Sequence, residues 1–119
     1  MKSYLKMLVV AGVFAFSLVA VQGEARADTT MLSSWYGPGF EGAPTASGEP
    51  YNYGDYTAAH PSLPLGTELE VCYADCTVVT VNDRGPYAGG RDLDLSQSAA
   101  EHIGLTASGV DVIEVEILG

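Results

Sequence analysis

Positive charge is the scarcest property of this sequence. Five Lys and Arg stand against fifteen Asp and Glu in 119 residues, a formal charge of −10. Nucleic-acid binding needs a basic footprint to meet phosphates, so that class is excluded. Cysteine is nearly absent as well: two residues are too few for a dense disulfide scaffold or a Cys₄ zinc site. There is one long apolar run, Met7 to Val21, and it is shorter than the ~20 residues of a membrane-spanning helix. The length allows one domain. A hydrophobic content of 47% argues against disorder.

The apolar run reads as an address. Lys2 and Lys6 form a short basic region before it, and Ala25-Arg26-Ala27 follows with small residues at both positions a signal peptidase reads. Residues 1–27 are expected to be a signal peptide and 28–119 the mature domain, exported and free of the membrane after cleavage. No cysteine follows the run, so no lipid attachment is expected. Past residue 27 only Arg84 and Arg91 face fourteen acids, a balance of 2 − 14 = −12. Such a surface is soluble and repelled by anionic lipid or phosphate polymers. A domain of this size buries about 60–65% of its unfolded surface, so the core is modest.

The mature part has a β pattern. Ser33-Ser34-Trp35-Tyr36 starts a first strand, ended by Gly37-Pro38-Gly39. Residues 37–56, rich in Gly, Pro, Ser, Asn and Tyr, read as a long, ordered, functional loop. Thr57-Ala58-Ala59 is a short strand, and Glu68 to Cys72 alternates Leu69 and Val71 with acids. Thr77 to Val81 is β-branched throughout and is expected to be buried. Leu93 and Leu95 alternate with Asp92 and Asp94, after which Ser96 caps a helix over Gln97 to Ile103 that Gly104 stops. Val110, Val112, Val115 and Ile117 build a terminal strand. Five or six short strands with one helical turn imply a small all-β barrel.

Cys72 and Cys76 bracket a turn between two strands and should face each other across a tight hairpin. In an exported protein a disulfide is the natural reading, and closing so small a loop stabilises by about 2 kcal/mol. A redox pair or a metal site are the rival readings; the spacing is not Cys-x-x-Cys and no second ligand pair exists.

Two stretches carry candidate chemistry. Asn82-Asp83-Arg84-Gly85-Pro86 follows the β-branched strand, and a carboxyl where a barrel strand opens into a Gly-Pro loop is well placed for acid/base work. Partial burial raises the pKa of such a group. The plainer reading makes Asp83 the cap of the following turn. The second stretch is Thr45-Ala46-Ser47-Gly48-Glu49-Pro50-Tyr51, with His60 eleven residues beyond Glu49. Alone, Glu49 is a loop acid and His60 before Pro61 a hydrogen-bonded structural histidine. Trp35, Tyr36, Tyr51, Tyr53, Tyr56 and Tyr87 cluster around these loops. Exposed aromatics beside carboxylates suit a sugar cleft, since pyranose faces stack on rings; core filling is the alternative, above all for Trp35.

Taken in order and spacing, Trp35-Tyr36-Gly37, Thr45 to Glu49, Thr57 to His60, Leu63 to Thr67, Val81 to Tyr87 and Asp94-Leu95-Ser96 closely resemble the rare lipoprotein A (RlpA-like) double-psi β-barrel family. The resemblance runs from about Ser33 to Leu118. It implies a six-stranded double-psi β-barrel with one short helix, related to expansins and to barrel-type lytic transglycosylases, and peptidoglycan glycan strands as substrate. By the same resemblance Asp83 matches the catalytic acid, Glu49 a second carboxylate needed for activity and His60 a supporting residue. Trp35, Tyr36, Tyr51, Tyr87 and Arg84 are the expected substrate-binding set. No metal or cofactor is called for, and a monomer is expected. The founding lipoproteins carry a lipid anchor and often a glycan-binding domain, neither of which is expected here, and the Cys72/Cys76 pair replaces a plain turn.

The mechanism so implied uses one carboxyl twice. Asp83 protonates the oxygen of the MurNAc–GlcNAc bond and then takes the proton of the MurNAc C6 hydroxyl, which closes on C1 to give a 1,6-anhydro end. The substrate supplies its own nucleophile, so no carboxylate is needed to activate water, unlike ordinary glycosidases. Glu49 is expected to orient the sugar or stabilise developing positive charge, and Arg84 to brace its loop through Asp92 or Asp94. Two other functions fit the same sequence: an expansin-like wall-binding or loosening protein that does not cut, and a secreted effector or inhibitor using the barrel as a scaffold.

Overall fold

The computed structural model describes residues 29–119; the expected signal peptide, residues 1–27, lies outside them. Six strands and one helix follow in chain order: β1 (Thr29–Trp35), β2 (Thr57–Ala59), β3 (Glu68–Cys72), β4 (Cys76–Asp83), β5 (Leu93–Leu95), α1 (Gln97–Ile103) and β6 (Asp111–Ile117). They close into a barrel in the order β1-β5-β2-β4-β3-β6. β1 with β5 and β2 with β4 are parallel, and the remaining neighbours are antiparallel. This is the six-stranded barrel with one short helix that the resemblance implies.

Alternation decides which side chains fill it. Leu69 and Val71 of β3, Val79 and Val81 of β4, Leu93 and Leu95 of β5, and Ile113 and Val115 of β6 are all sealed from solvent. Ala99, Ala100 and Ile103 of α1 close one end of the core. Trp35 packs against this cluster and is half-buried. The expectation that the whole Thr77 to Val81 run is buried needs correction: Val78 is 43% exposed. β-branching fits a pleated strand on either face, and only the inward half of β4 meets the core. The terminal strand forms where it is expected and starts one residue after Val110. Val112 sits on its outer face, Ile117 is exposed at its end, and Ile113 carries the burial beside Val115.

The first strand begins four residues before the expected Ser33, because Thr29–Leu32 find partners along β6. The helix ends are as expected. The Ser96 side chain accepts from the Ala99 amide, and Gly104 adopts φ 86°, a left-handed geometry favoured by glycine, while closing the last turn. Cys72 and Cys76 face each other in the β3–β4 register and are joined by a disulfide. Among the described residues no helix is long and apolar enough to cross a membrane.

Candidate active site

Asp83 ends β4, and a bulge puts it where it is. β2 and β4 run in register with Ala58 opposite Val81, then slip so that Ala59 lies opposite Asp83. The extra residue, Asn82, breaks the period of two that carries Val79 and Val81 into the core. Asp83 therefore emerges half-buried on the barrel rim instead of continuing their sealed face. Bulges beside functional sites commonly re-aim a side chain in this way.

Three donors converge on the Asp83 carboxylate. The Tyr36 hydroxyl donates to Oδ2 at 2.6 Å, and the amides of Ala46 and Arg84 both donate to Oδ1 at 2.9 Å. One donor comes from the chain just past β1, one from the 37–56 loop and one from the residue after Asp83. Burial first, and then the hydrogen bond and charge of Asp83, push the Tyr36 phenol far above its ordinary pKa. The hydroxyl thus stays protonated and remains a donor.

The 37–56 loop is ordered by its own hydrogen bonds and docked on β4. Tyr51 N donates to Ala43 O and Gly42 N to Tyr51 O, while Ser47 N donates to Asn82 O. Tyr36 and Tyr51 stack with ring centres 4.4 Å apart, and Phe40 meets Tyr36 edge-on at 5.7 Å. Tyr51 also ties the loop to the helix, its hydroxyl accepting from Gln97 N at 3.1 Å. Between this loop and residues 83–86 lies a cleft of about 310 Å³. Tyr36, Tyr51 and Ala59 line it from within, Phe40 and Pro44 form one bank and Arg84 to Pro86 the other. Two carboxyls, Asp83 and Asp94, open into it.

The other expected site residues are distributed unevenly around this cleft. Tyr36, Tyr51 and Arg84 line it, although both tyrosines are buried, so they present a floor instead of an exposed stacking face. Tyr87 is 79% exposed and outside the lining, as is Trp35. Tyr53 is exposed, and the Tyr56 hydroxyl pairs with His102 Nδ1 at 3.2 Å. Glu49 shares the turn whose Ala46 amide reaches Asp83, but its own side chain is exposed and outside the cleft lining. Arg84 does not reach Asp92 or Asp94: its guanidinium donates to the carbonyls of His60 (3.3 Å) and Asp83 (3.5 Å). Arg91 is the arginine coupled to Asp94, through Ser34.

His60 N donates to Asp83 O at 3.2 Å, so its backbone supports the end of β4. Its side chain caps a turn, Nδ1 accepting from Ser62 N and Leu63 N at 3.1 and 3.0 Å. An acceptor at Nδ1 fixes the neutral ring with its proton on Nε2. Desolvation, aided by Arg84 and opposed by Asp92, holds its pKa below 6.5. The unfolded chain therefore binds this proton more readily than the folded one. Stability from His60 is complete above pH 6.5 and is lost as pH falls from 6.5 through the lower folded value. In thermal unfolding across pH 7.5 to 5, His60→Asn is expected to lose less of its midpoint than the wild type. Parallel slopes would remove His60 as the source.

Sequence reasoning missed two cleft residues. Phe40 sits in the Gly/Pro-rich loop, and an exposed aromatic there was the available signal. Asp94 is expected only as an alternating strand position and a brace for Arg84, whereas it lines the cleft opposite residues of the 37–56 loop. Burial raises the Asp94 carboxyl above its ordinary value, and the Asp83 charge adds to this, against the lowering effects of Ser34 and Arg91. Among the described residues Glu70, Cys72 and Cys76 could approach one metal ion. Both sulfurs are already spent in the disulfide.

Known proteins are similar to this chain. The family described as "Lytic transglycolase" matches residues 28–116. The probable endolytic peptidoglycan transglycosylase RlpA of Synechocystis is 48% identical over 90 residues, covering 73% of this chain and 28% of that protein. The endolytic peptidoglycan transglycosylase RlpA of Campylobacter jejuni is 45% identical over 91 residues, covering 74% and 33%. The chain thus spans about a third or less of these relatives. Among solved structures, the Streptomyces papain inhibitor aligns with a TM-score of 0.61 at 23% identity, covering 78% of this chain and 96% of that one, a likeness of fold. With residues 28–116 matched by the family and relatives this similar, this chain belongs to the RlpA-like double-psi β-barrel family.

Proposed function

We propose that this chain is a peptidoglycan lytic transglycosylase, which cleaves the MurNAc–GlcNAc bond of glycan strands and leaves 1,6-anhydro-MurNAc ends. The observation that carries the reading is Asp83, a carboxylate fixed by three donors at the mouth of a cleft. The names of the RlpA relatives support both substrate and reaction. Asp83 gives a proton to the glycosidic oxygen as the C1–O bond opens, and C1 gains oxocarbenium character, which the resulting fixed carboxylate stabilises. The MurNAc C6 hydroxyl closes on C1 and gives up its proton to Asp83, so the reaction needs no water-activating carboxylate. General acid/base help of this kind supplies about 10²–10⁴-fold, and positioning by the walls of the cleft supplies much of the remainder. Glu49 and His60 take supporting roles in this reading, Glu49 beside the sugar and His60 beneath β4. Such a protein acts in the cell envelope outside the cytoplasm, and residues 1–27 are the export signal that takes it there.

Mass spectrometry of peptidoglycan strands incubated with the protein, with and without stem peptides, tests this. Fragments ending in 1,6-anhydro-MurNAc are the expected result. Reducing ends make the protein a hydrolase and bring Glu49 forward to handle water. No new ends, with co-sedimentation on the wall, make it an expansin-like binder.

A further inference from the structure

Resting on the transglycosylase reading, we propose that Phe40 is the stacking platform of the cleft, taking the apolar face of a pyranose ring beside the scissile bond. Among the described aromatic residues, this ring alone combines a place in the cleft with a free face. Tyr36 and Tyr51 line the cleft but are 9% and 3% exposed, and they stack on each other. Trp35, Tyr53, Tyr56 and Tyr87 stand outside the lining. Phe40 lines the cleft and is 49% exposed. Its ring meets that of Tyr36 at 84°, and a perpendicular contact covers at most one of its faces. Phe40 also belongs to neither buried cluster of the barrel, so its ring is not spent on filling the core.

A platform must be held still, and this one is. Phe40 O accepts from Ala43 N at 2.9 Å, and Gly42 N donates to Tyr51 O at 2.8 Å. Gly42 makes that tight turn at φ 82°, a left-handed geometry that glycine takes without strain. Tyr36, which braces the ring, is itself fixed at both ends. Its amide donates to Leu95 O at 2.9 Å and its hydroxyl to Asp83 Oδ2 at 2.6 Å. Little freedom is left to lose when a ligand settles on the ring. The same contacts set the place of the sugar. Phe40 touches Tyr36, and Tyr36 touches Asp83, so a sugar seated on Phe40 brings its own glycosidic bond to the reacting carboxyl. The opposite bank, Arg84 to Pro86, offers no aromatic ring.

Stacking supplies what hydrogen bonds do not. Sugar hydroxyls are satisfied equally well by water, so exchanging that water for protein groups gains little. A pyranose with equatorial substituents carries its axial C–H bonds on its two faces, and laying one face on Phe40 removes apolar surface of both from water. Covering the exposed half of the ring is worth about three- to tenfold in affinity. The face is present before and during the reaction alike, so this binding is uniform and shows in KM while leaving kcat in place.

The test measures kcat and KM for strand cleavage, together with co-sedimentation on purified wall, in the wild-type full chain, Phe40→Leu and Phe40→Tyr. Leucine keeps apolar bulk beside Tyr36 and removes the flat face, whereas tyrosine keeps the face. Phe40→Leu is expected to raise KM and weaken co-sedimentation by about three- to tenfold, with kcat within twofold of the wild type. Phe40→Tyr is expected to match the wild type in all three. Phe40 lies outside the core clusters, so Phe40→Leu should keep the wild-type thermal midpoint; Phe40→Met gives the same reading where it does not. Unchanged KM and binding in the folded Phe40→Leu protein, or an equal loss in Phe40→Tyr, overturns the platform. A fall in kcat alone overturns it too, because the ring would then act through Tyr36 and Asp83 and not on the sugar. A wild type that makes no anhydro ends, with co-sedimentation still weakened in Phe40→Leu, overturns the transglycosylase reading and leaves the platform standing.

Discussion

Asp83→Asn is expected to fold with the wild-type unfolding midpoint, to co-sediment with glycan strands, and to cut them about 10²–10⁴-fold more slowly. The substitution keeps the shape of the side chain. An amide oxygen at the Oδ1 position still accepts from Ala46 N and Arg84 N, so the 37–56 loop stays docked on β4. At the other position an NH₂ replaces an acceptor, and the Tyr36 hydroxyl can turn to accept from it. What is lost is chemical. An amide does not take the C6 hydroxyl proton and carries no charge to set against a developing oxocarbenium ion. Counting strand ends over time, alongside pelleting with purified wall, separates cutting from holding. Turnover within threefold of the wild type would remove Asp83 from the mechanism.

Much of this site was legible in the sequence, and the remainder was hidden for definable reasons. Asp83 could be found because a carboxyl at the end of an apolar strand, followed by Gly-Pro, is a local pattern. Ser96 and Gly104 could be placed because helix caps are local too. Tyr36 could not be read as the donor to Asp83, since 47 residues separate them and a bulge at Asn82 brings them together. Six aromatics around the loops looked like one exposed surface. In the fold Tyr36 and Tyr51 turn inward and stack, Trp35 packs on the core, and Tyr87 stands out in solvent. Asp94 shows the limit most clearly. The period of two assigns Leu93 and Leu95 to one face and Asp94 to the other, but it does not say whether that other face meets water or a cleft. Only the docking of residues 37–56, a tertiary event, makes it a cleft.

The largest stability effect is expected at Leu95. Leu95→Ala should cost about 2–5 kcal/mol, the range for emptying a fully buried leucine site. Val78→Ala, an exposed position on the outer face of β4, should cost under about 1 kcal/mol. In a domain this small each kcal/mol moves the thermal midpoint by about 4–8 °C. The two variants should therefore melt at clearly different temperatures, and urea unfolding gives the free energies directly. Leu95 is singled out because β5 has three residues and two neighbours. It pairs with Trp35 of β1 and Ala58 of β2, and its carbonyl accepts from Tyr36 N at 2.9 Å. One residue earlier on the same strand is Asp94. The tyrosine that holds one carboxyl is thus tied to the backbone of the residue next to the other. Comparable small losses in Leu95→Ala and Val78→Ala would show that the barrel repacks freely here. The two carboxyls would then have to be held in place by the 37–56 loop alone.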